Sequence, residues 1–196
     1  MYDKVKMRRG LEKDCTELTL IFDMAGRRLP SALWSKKASQ GQSAFEIGRE
    51  RIRTLSELPT YYKNWTIAEL NNKIIGAFFG FLLEDPYPEI DYSELPKCIH
   101  PLVELEQCAS GSWLLQAISV LPEARGNGFA KLLLHEAEEV AKKFGTSQIT
   151  LQVEEVNKIA VDTYKKNGYV ELDRRPFVSF PGSDDNGDYL LMGKNL

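Results

Sequence analysis

The sequence predicts an α/β fold, α+β in the arrangement of its elements, with about seven strands and amphipathic helices set among them. Three observations carry this expectation. The apolar run Trp113–Val120 is closed off by Pro122, which cannot donate a ladder hydrogen bond, so it reads as a buried strand. Behind it, Phe129, Leu132, Leu133, Ala137, Val140, Ala141 and Phe144 recur at the 3.6-residue period of a core-facing helix. Trp65–Asn71 alternates as a strand, and the turn Asn71-Asn72-Lys73 joins it to a second, Lys73–Leu83, as a hairpin.

From the start of the chain, Lys4–Arg9 reads as the first strand, with Val5 and Met7 on one face. Glu12–Leu29 follows as one helix, with Leu18, Ile21, Phe22 and Ala25 at helical spacing. Pro30–Thr54 is less regular, but Ser43-Ala44-Phe45-Glu46 has the form of a capping box opening a helix through Ile52. Gly76 and Gly80 in the strand Lys73–Leu83 suit a bend or a close approach by another group, and plain core is the reading taken. Glu84–Ser112 carries Pro86, Pro88, Pro96 and Pro101 and little sustained periodicity, so it is expected to be an ordered or semi-ordered insertion between two central strands.

Past the central strand and helix, Lys142 and Lys143 occupy the last helical turn, and Gly145 suits the left-handed position that ends it. Ser147–Glu154 alternates Ile149, Leu151 and Val153 as a strand. Val156–Asn167 is another helix, ended by Gly168. Tyr169–Phe177 and Asp188–Gly193 supply the last two strands around the polar turn Pro181–Gly187.

Composition bounds the function classes. At 196 residues, one domain (1–196) with an elaboration at about 84–112 is expected. With 43% hydrophobic and 27% charged residues, the chain has the composition of a soluble globular protein. A net charge of −3 offers no general attraction to nucleic acid or to an anionic membrane, so neither is an expected partner. Cys15, Cys98 and Cys108, odd in number and without a CxxC, exclude a disulfide framework or zinc knuckle, and no metal is expected. The longest apolar run, Ile74–Leu83, is too short to span a bilayer, and MYDKVKMRRGLEKD has no apolar signal core. Cytoplasmic location is the default expectation, and a homodimer is left open.

Between the central strand and helix lies Arg125-Gly126-Asn127-Gly128-Phe129-Ala130. Two glycines with small neighbours let backbone N–H groups face a ligand, and the helix N-terminus adds partial positive charge, a combination suited to phosphate. A tight turn that needs glycine for geometry alone is the other reading. GxxxxGK followed by Ser or Thr is absent, and a dinucleotide fingerprint would need a third glycine where Lys131 stands. The stretch does fill Q/R-x-x-G-x-G/A, preceded by Val120-x-Pro122 and followed by Leu132-Leu133, and so resembles the acetyl-CoA loop of the GNAT family of N-acetyltransferases.

A second block, Asn157 to Tyr169 (NKIAVDTYKKNGY), resembles the GNAT element N-x-x-A-x-x-x-Y-x-x-x-G-F/Y at the appropriate distance downstream. The resemblance is specific over about Trp113–Phe177 and only topological before that. It implies a mixed central sheet in which two neighbouring parallel strands splay apart, with helices on both faces. It also implies that acetyl-CoA, the acetyl donor, pairs its pantetheine arm with the backbone near Ala117, Ile118 and Val120. The first helix would border the acceptor cleft; Trp34 and Phe45 could line it, and packing is the reading taken for both.

The chemistry follows from the acceptor. An amine of pKa near ~10 is protonated at neutral pH and must lose a proton before attacking a thioester. Donors must stabilise the oxyanion, with the Ile118 N–H the expected source. The departing thiolate leaves more readily if an acid protonates it. Tyr164 fills the family's tyrosine position and is the expected acid, with a packed core tyrosine as the alternative. Asn157 resembles the pantetheine-contacting residue and is equally a helix N-cap; Arg125 would reach a phosphate or close the loop.

Relatives place a glutamate on the strand before the loop, but here Ser112, Trp113, Leu114, Leu115 and Gln116 offer no carboxylate. Glu84, at the end of the preceding strand, is the expected substitute base, ahead of Glu154, Glu155, His100 and His135, with a water relay as the alternative. Glu84, Asp85, Glu89, Asp91, Glu94, Glu104 and Glu106 against Lys97 suggest either a solvated loop or an acidic wall drawing in an ammonium substrate. The expected function is acetyl transfer from acetyl-CoA to a primary amine of a small molecule. The alternatives are a protein-lysine or N-terminal acetyltransferase, or a non-catalytic acyl-CoA-binding regulatory module.

Overall fold

The computed structural model describes residues 5–183 and 187–196. Lys4 of the first strand and Asp184, Asp185 and Asn186 of the polar turn lie outside the described residues. In chain order the elements are β1 (Val5–Arg9), α1 (Cys15–Ala25), α2 (Leu29–Ser35), α3 (Ala44–Thr54), β2 (Thr66–Leu70), β3 (Lys73–Leu82), α4 (His100–Cys108), β4 (Trp113–Val120), α5 (Phe129–Lys142), β5 (Gln148–Glu154), α6 (Lys158–Lys166), β6 (Val170–Pro176) and β7 (Asp188–Asn195).

The strands form one seven-stranded mixed sheet in the order β1-β2-β3-β4-β5-β7-β6. β4 and β5 pair in parallel, whereas β1–β2, β2–β3, β5–β7 and β6–β7 pair antiparallel. This is the α+β mixed sheet expected. The parallel ladder covers Trp113↔Ile149, Leu114↔Thr150 and Leu115↔Leu151. Both strands continue past it, β4 to Val120 and β5 to Glu154.

By contact density the chain forms two compact units. One comprises Met1–Gly80, Ala117–Leu134 and Pro181–Ser183, the other Phe81–Gln116, His135–Phe180 and Asp184–Leu196.

The first unit is built on aromatic packing. Phe22 of α1 meets Trp34, Trp65 and Phe79 with ring centroids 5.9, 6.1 and 5.5 Å away. Trp34 is buried in packing as expected, whereas Phe45, expected to pack as well, is exposed on α3. Gly48 lies within α3 because a β-carbon there would stand 2.5 Å from the Trp34 ring. The capping box of α3 forms: Glu46 N donates to Ser43 Oγ at 3.2 Å, and Ser43 N donates to Glu46 Oε2 at 2.7 Å.

The helix expected over Glu12–Leu29 is divided. A 3-10 turn at Glu12–Asp14 precedes α1, Gly26 ends it, and Leu29 opens α2 with Pro30 in the first turn. The break has a physical cause: Pro30 lacks an N–H and its ring would clash with the carbonyl four residues back. Arg8 fastens the start of this region to β2, donating to Asp14 at 2.6 and 3.1 Å and to Glu69 at 2.8 Å. Burial works to raise the Asp14 carboxyl, but hydrogen bonds from Arg8 and the Leu11 N–H outweigh it and hold the group below the usual carboxylate range.

In the second unit, Leu83, Leu105, Ala109, Leu114, Tyr189 and Leu191 form one core cluster. The insertion contributes to it through α4, a helix that sequence periodicity missed. Leu102, Leu105 and Ala109 do share a helical face, but Pro101, Glu104 and Glu106 interrupt the apolar pattern around them. In α5 the helix ends at Lys142, so Phe144, expected on the core stripe, lies beyond it and is half exposed, its ring 6.4 Å from Trp113.

Candidate active site

The strand β4 carries Ala117 and Val120 buried and Ile118 half-buried. β3 runs beside this stretch, with Leu121 N donating to Ile75 O at 2.9 Å. Gly76 is buried, and it also carries a close approach: a β-carbon there would stand 2.6 Å from Ser119 O and 3.2 Å from Val120 Cα. Only glycine lets the two backbones come this near.

After β4, Pro122–Ala124 forms a 3-10 turn, and α5 begins at Phe129. Gly126 and Gly128 both adopt left-handed backbone, with φ of 77° and 78°. A β-carbon on Gly126 would meet nothing within 4 Å, so this glycine answers a backbone demand rather than crowding by the protein. Arg125 Nε donates to Val120 O at 3.1 Å. Asn127 Nδ2 donates to Ala124 O and Arg125 O at 3.1 and 3.0 Å. These two side chains therefore shape the loop. Phe129 buries its ring in the core, and Ala130 is half-buried. First-turn N–H groups lack intrahelical acceptors, and a helix of 14 residues adds its positive end. The geometry suits an anionic phosphate laid against the loop.

Asn157 caps α6, its Oδ1 accepting from Ala160 N at 3.4 Å. Tyr164 lies half-buried on α6, its ring centroid 5.9 Å from that of Tyr169 at an interplanar angle of 55°. Burial pushes its hydroxyl up to about 12, so it remains protonated at neutral pH. Tyr169, the last residue of the second motif, is fully buried, and Lys194 Nζ stands 5.8 Å from its ring centroid. Lys194 in turn donates to both oxygens of Glu138 at 2.8 Å, which fixes α5 to β7.

Glu84 is exposed, just past the end of β3. Leu83 N donates to Ser112 O and Gly111 N to Leu83 O, so Glu84 lies beside the residues that precede β4.

The acids of the insertion are largely engaged within their own unit. Arg175 Nε donates to Glu104 at 2.9 Å, and Tyr87 donates to Glu106 at 2.7 Å. Asp91 accepts from Ser93, and α4 packs on β6 and β7. Burial raises the Glu106 carboxyl, with the Tyr87 hydroxyl pulling the other way. His100 Nε2 lies 3.1 Å from Leu95 O, His135 is exposed, and Glu155 is 3.8 Å from Arg174. Among the described residues, no group of three or more His, Cys, Asp or Glu could hold a metal ion, and no helix is long and apolar enough to cross a membrane.

The model of the Acetyltransferase (GNAT) family matches residues 32–169. The chain belongs to this family. It is thus an acetyl-CoA-dependent acetyltransferase. Among solved structures, this GNAT chain is similar to an acetyltransferase at 17% identity and a TM-score of 0.64, over 97% of this chain and 98% of that one. It is similar to an N-acetyltransferase from Staphylococcus aureus Mu50 at 16% identity and 0.63, over 96% and 100%. A third is PaiA N-acetyltransferase from Thermoplasma acidophilum in complex with coenzyme A, at 18% identity and 0.56, over 98% and 99%. Likeness at such identities shows the shared fold. No curated protein matches the chain.

Proposed function

We propose that this GNAT enzyme transfers the acetyl group of acetyl-CoA to a primary amine of a small molecule. The observation that carries the reading is the loop at the start of α5, with Gly126 and Gly128 both left-handed and open space over Gly126. In this proposal the backbone of Arg125, Gly126, Asn127, Gly128, Phe129 and Ala130 holds the pyrophosphate of the donor. Ala117, Ile118 and Val120 pair with its pantetheine arm, Ile118 N–H receives the developing oxyanion, and Asn157 contacts the same arm while capping α6. Tyr164 serves the departing thiolate. Its high pKa keeps the proton in place at neutral pH, so the hydroxyl acts by hydrogen bonding and by transfer as the carbon–sulfur bond breaks. Glu84 takes the proton of the amine, with a water relay as the alternative.

The test has two parts. Gly128→Val puts a branched side chain into left-handed backbone where the pyrophosphate would lie, and calorimetry should show acetyl-CoA affinity lost in a protein that still unfolds cooperatively. Thiol release from acetyl-CoA is then followed with polyamines, amino acids, aminoglycosides and peptides. Unchanged affinity in Gly128→Val removes the loop assignment; turnover confined to peptides removes the small-molecule assignment.

A further inference from the structure

We infer that Tyr169 is a positioning residue for Tyr164: the turn that ends α6 lays the Tyr169 ring against the Tyr164 ring and fixes the orientation in which Tyr164 serves the departing thiolate. The turn is dictated locally. Gly168, just past the helix end, is left-handed with φ of 89°, and its N–H donates to Lys165 O at 3.1 Å. Tyr169 N reaches further back and donates to Tyr164 O at 3.1 Å. This pair of bonds closes a helix on a left-handed glycine, and it sets the residue after the glycine over the residue whose carbonyl it binds. Here both are tyrosines, with ring centroids 5.9 Å apart and planes at 55°. Any apolar pair would stop the helix as well. Two rings also prefer particular mutual orientations, so the contact carries information about angle as well as distance.

The two rings are held unequally. Tyr169 is fully buried and Tyr164 half-buried. Lys194 of β7 crosses the turn: its Cε stands 3.6 Å from where a β-carbon on Gly168 would lie, and its Nζ 5.8 Å from the Tyr169 ring centroid. That Nζ is fixed in turn by Glu138 of α5, donating to both carboxylate oxygens at 2.8 Å. Among the described residues the Tyr169 hydroxyl closes no hydrogen bond. Burial, and then the nearby Glu138 carboxylate, push it up, so it stays neutral. The ring, braced by the ion pair, is therefore the part that acts. The helix places only the backbone and β-carbon of Tyr164, and its two side-chain torsions are settled by what its ring rests on. All four residues belong to the second unit, so the bracing is internal to it. A reacting group displaced by about 1 Å can lose ~10²-fold in rate.

The inference rests on Tyr164 as the acid, and its test separates the two. Thiol release with the amine that the panel identifies is measured in wild type, Tyr169→Phe and Tyr169→Leu, each also in the Tyr164→Phe background. Given the kcat loss expected of Tyr164→Phe, Tyr169→Leu should lower kcat about tenfold or more and leave the KM for acetyl-CoA within about twofold of wild type. Tyr169→Phe keeps the ring and should retain wild-type kcat. In the Tyr164→Phe background the Tyr169→Leu loss should disappear, because a residue that acts only through Tyr164 has nothing left to position. A loss of the same factor in both backgrounds, wild-type kcat in Tyr169→Leu, or a raised KM with kcat intact overturns the inference. Equal losses in Tyr169→Phe and Tyr169→Leu also overturn it and assign the role to the hydroxyl. Should Tyr169→Leu not fold, Gly168→Ala is read by the same criteria, since it strains the left-handed turn while its β-carbon makes only ordinary contact. Crystal structures of the CoA-bound wild type and Tyr169→Leu read the positioning without turnover: the Tyr164 ring should shift by about 1 Å or more or occupy two rotamers, and an unmoved ring overturns the inference. A displaced ring together with full kcat in Tyr164→Phe leaves the positioning standing and removes Tyr164 as the acid.

Discussion

Replacing Gly76 by alanine should damage the enzyme through a single added methyl. The new β-carbon would stand 2.6 Å from Ser119 O, 3.0 Å from Leu133 Cδ1 and 3.2 Å from Val120 Cα. Ordinary contact begins at 3.4 Å, so by difference (3.4 − 2.6) the backbone of β4 must retreat by 0.8 Å at Ser119. Two of the three neighbours are backbone and cannot rotate away. Overpacking of this kind costs about 1–3 kcal/mol, offset by about 0.4–1 kcal/mol from the smaller unfolded-state entropy of alanine. A net loss of about 1–2 kcal/mol lowers Tm by about 2–8 °C in a chain of this size. Activity should suffer more than stability, because a shift of about 1 Å in a positioning strand can cost ~10²-fold in rate. Gly126→Ala is the control. It meets no protein atom within 4 Å, and its cost to folding is confined to left-handed backbone, so it controls the stability arm. The assay is urea unfolding alongside thiol release at saturating and limiting acetyl-CoA. If Gly76→Ala matches wild type in both stability and kcat/KM, the close approach of β3 and β4 is not what positions the strand.

Three further outcomes are expected. Tyr164→Phe should lower kcat roughly 10²-fold with little change in Tm. Since the hydroxyl is pushed up to about 12 and stays protonated below that, the wild-type kcat profile should show no fall between about pH 7 and 10, where the amine alone gives a rising limb, and a falling limb there would refute the assignment. Glu84→Gln should lower kcat/KM about tenfold or more with whichever amine the panel identifies; unchanged kcat/KM would leave the proton to a water relay. Tyr87→Phe removes the donor to Glu106 and should cost about 1.5 kcal/mol at pH 7, where the half-buried carboxylate needs it. Glu106 is raised by burial, so its neutral form stabilises fully below the unfolded carboxyl pKa, and that contribution is lost as pH rises through the folded value. The Tyr87→Phe deficit in urea unfolding should therefore shrink at about pH 4, and a deficit independent of pH would place it in packing instead.

Legibility in the sequence followed the locality of each interaction. Trp113–Val120 was readable to the residue because an apolar run and Pro122 mark it without help from distant contacts. The capping box of α3 likewise lies within four residues. The loop ahead of α5 was legible through glycine spacing, since left-handed backbone at Gly126 and Gly128 is a local demand. What escaped depends on partners far along the chain. α4 owes its place to Leu83, Leu114 and Leu191, which its own acids and Pro101 give no hint of. The pairing of Leu83 with Ser112, which sets Glu84 beside the start of β4, likewise joins residues far apart in the chain. The division of the first helix did have a signal, Gly26 followed by Pro30, which the run of apolar spacing through Leu29 obscured.

The three-pair ladder between β4 and β5 also bears on how long the protein survives in a cell. A strand that continues past its partner offers main-chain groups to any molecule able to pair with them, and such a molecule binds the native chain but not the unfolded one. A donor present at 100 times its dissociation constant would add ~2.7 kcal/mol to the folded state, about a hundredfold fewer unfolded chains for a protease to find. The supply of acetyl-CoA would then set both how fast the enzyme works and how many copies of it persist, and starvation for the donor would thin the enzyme population before any change in its synthesis.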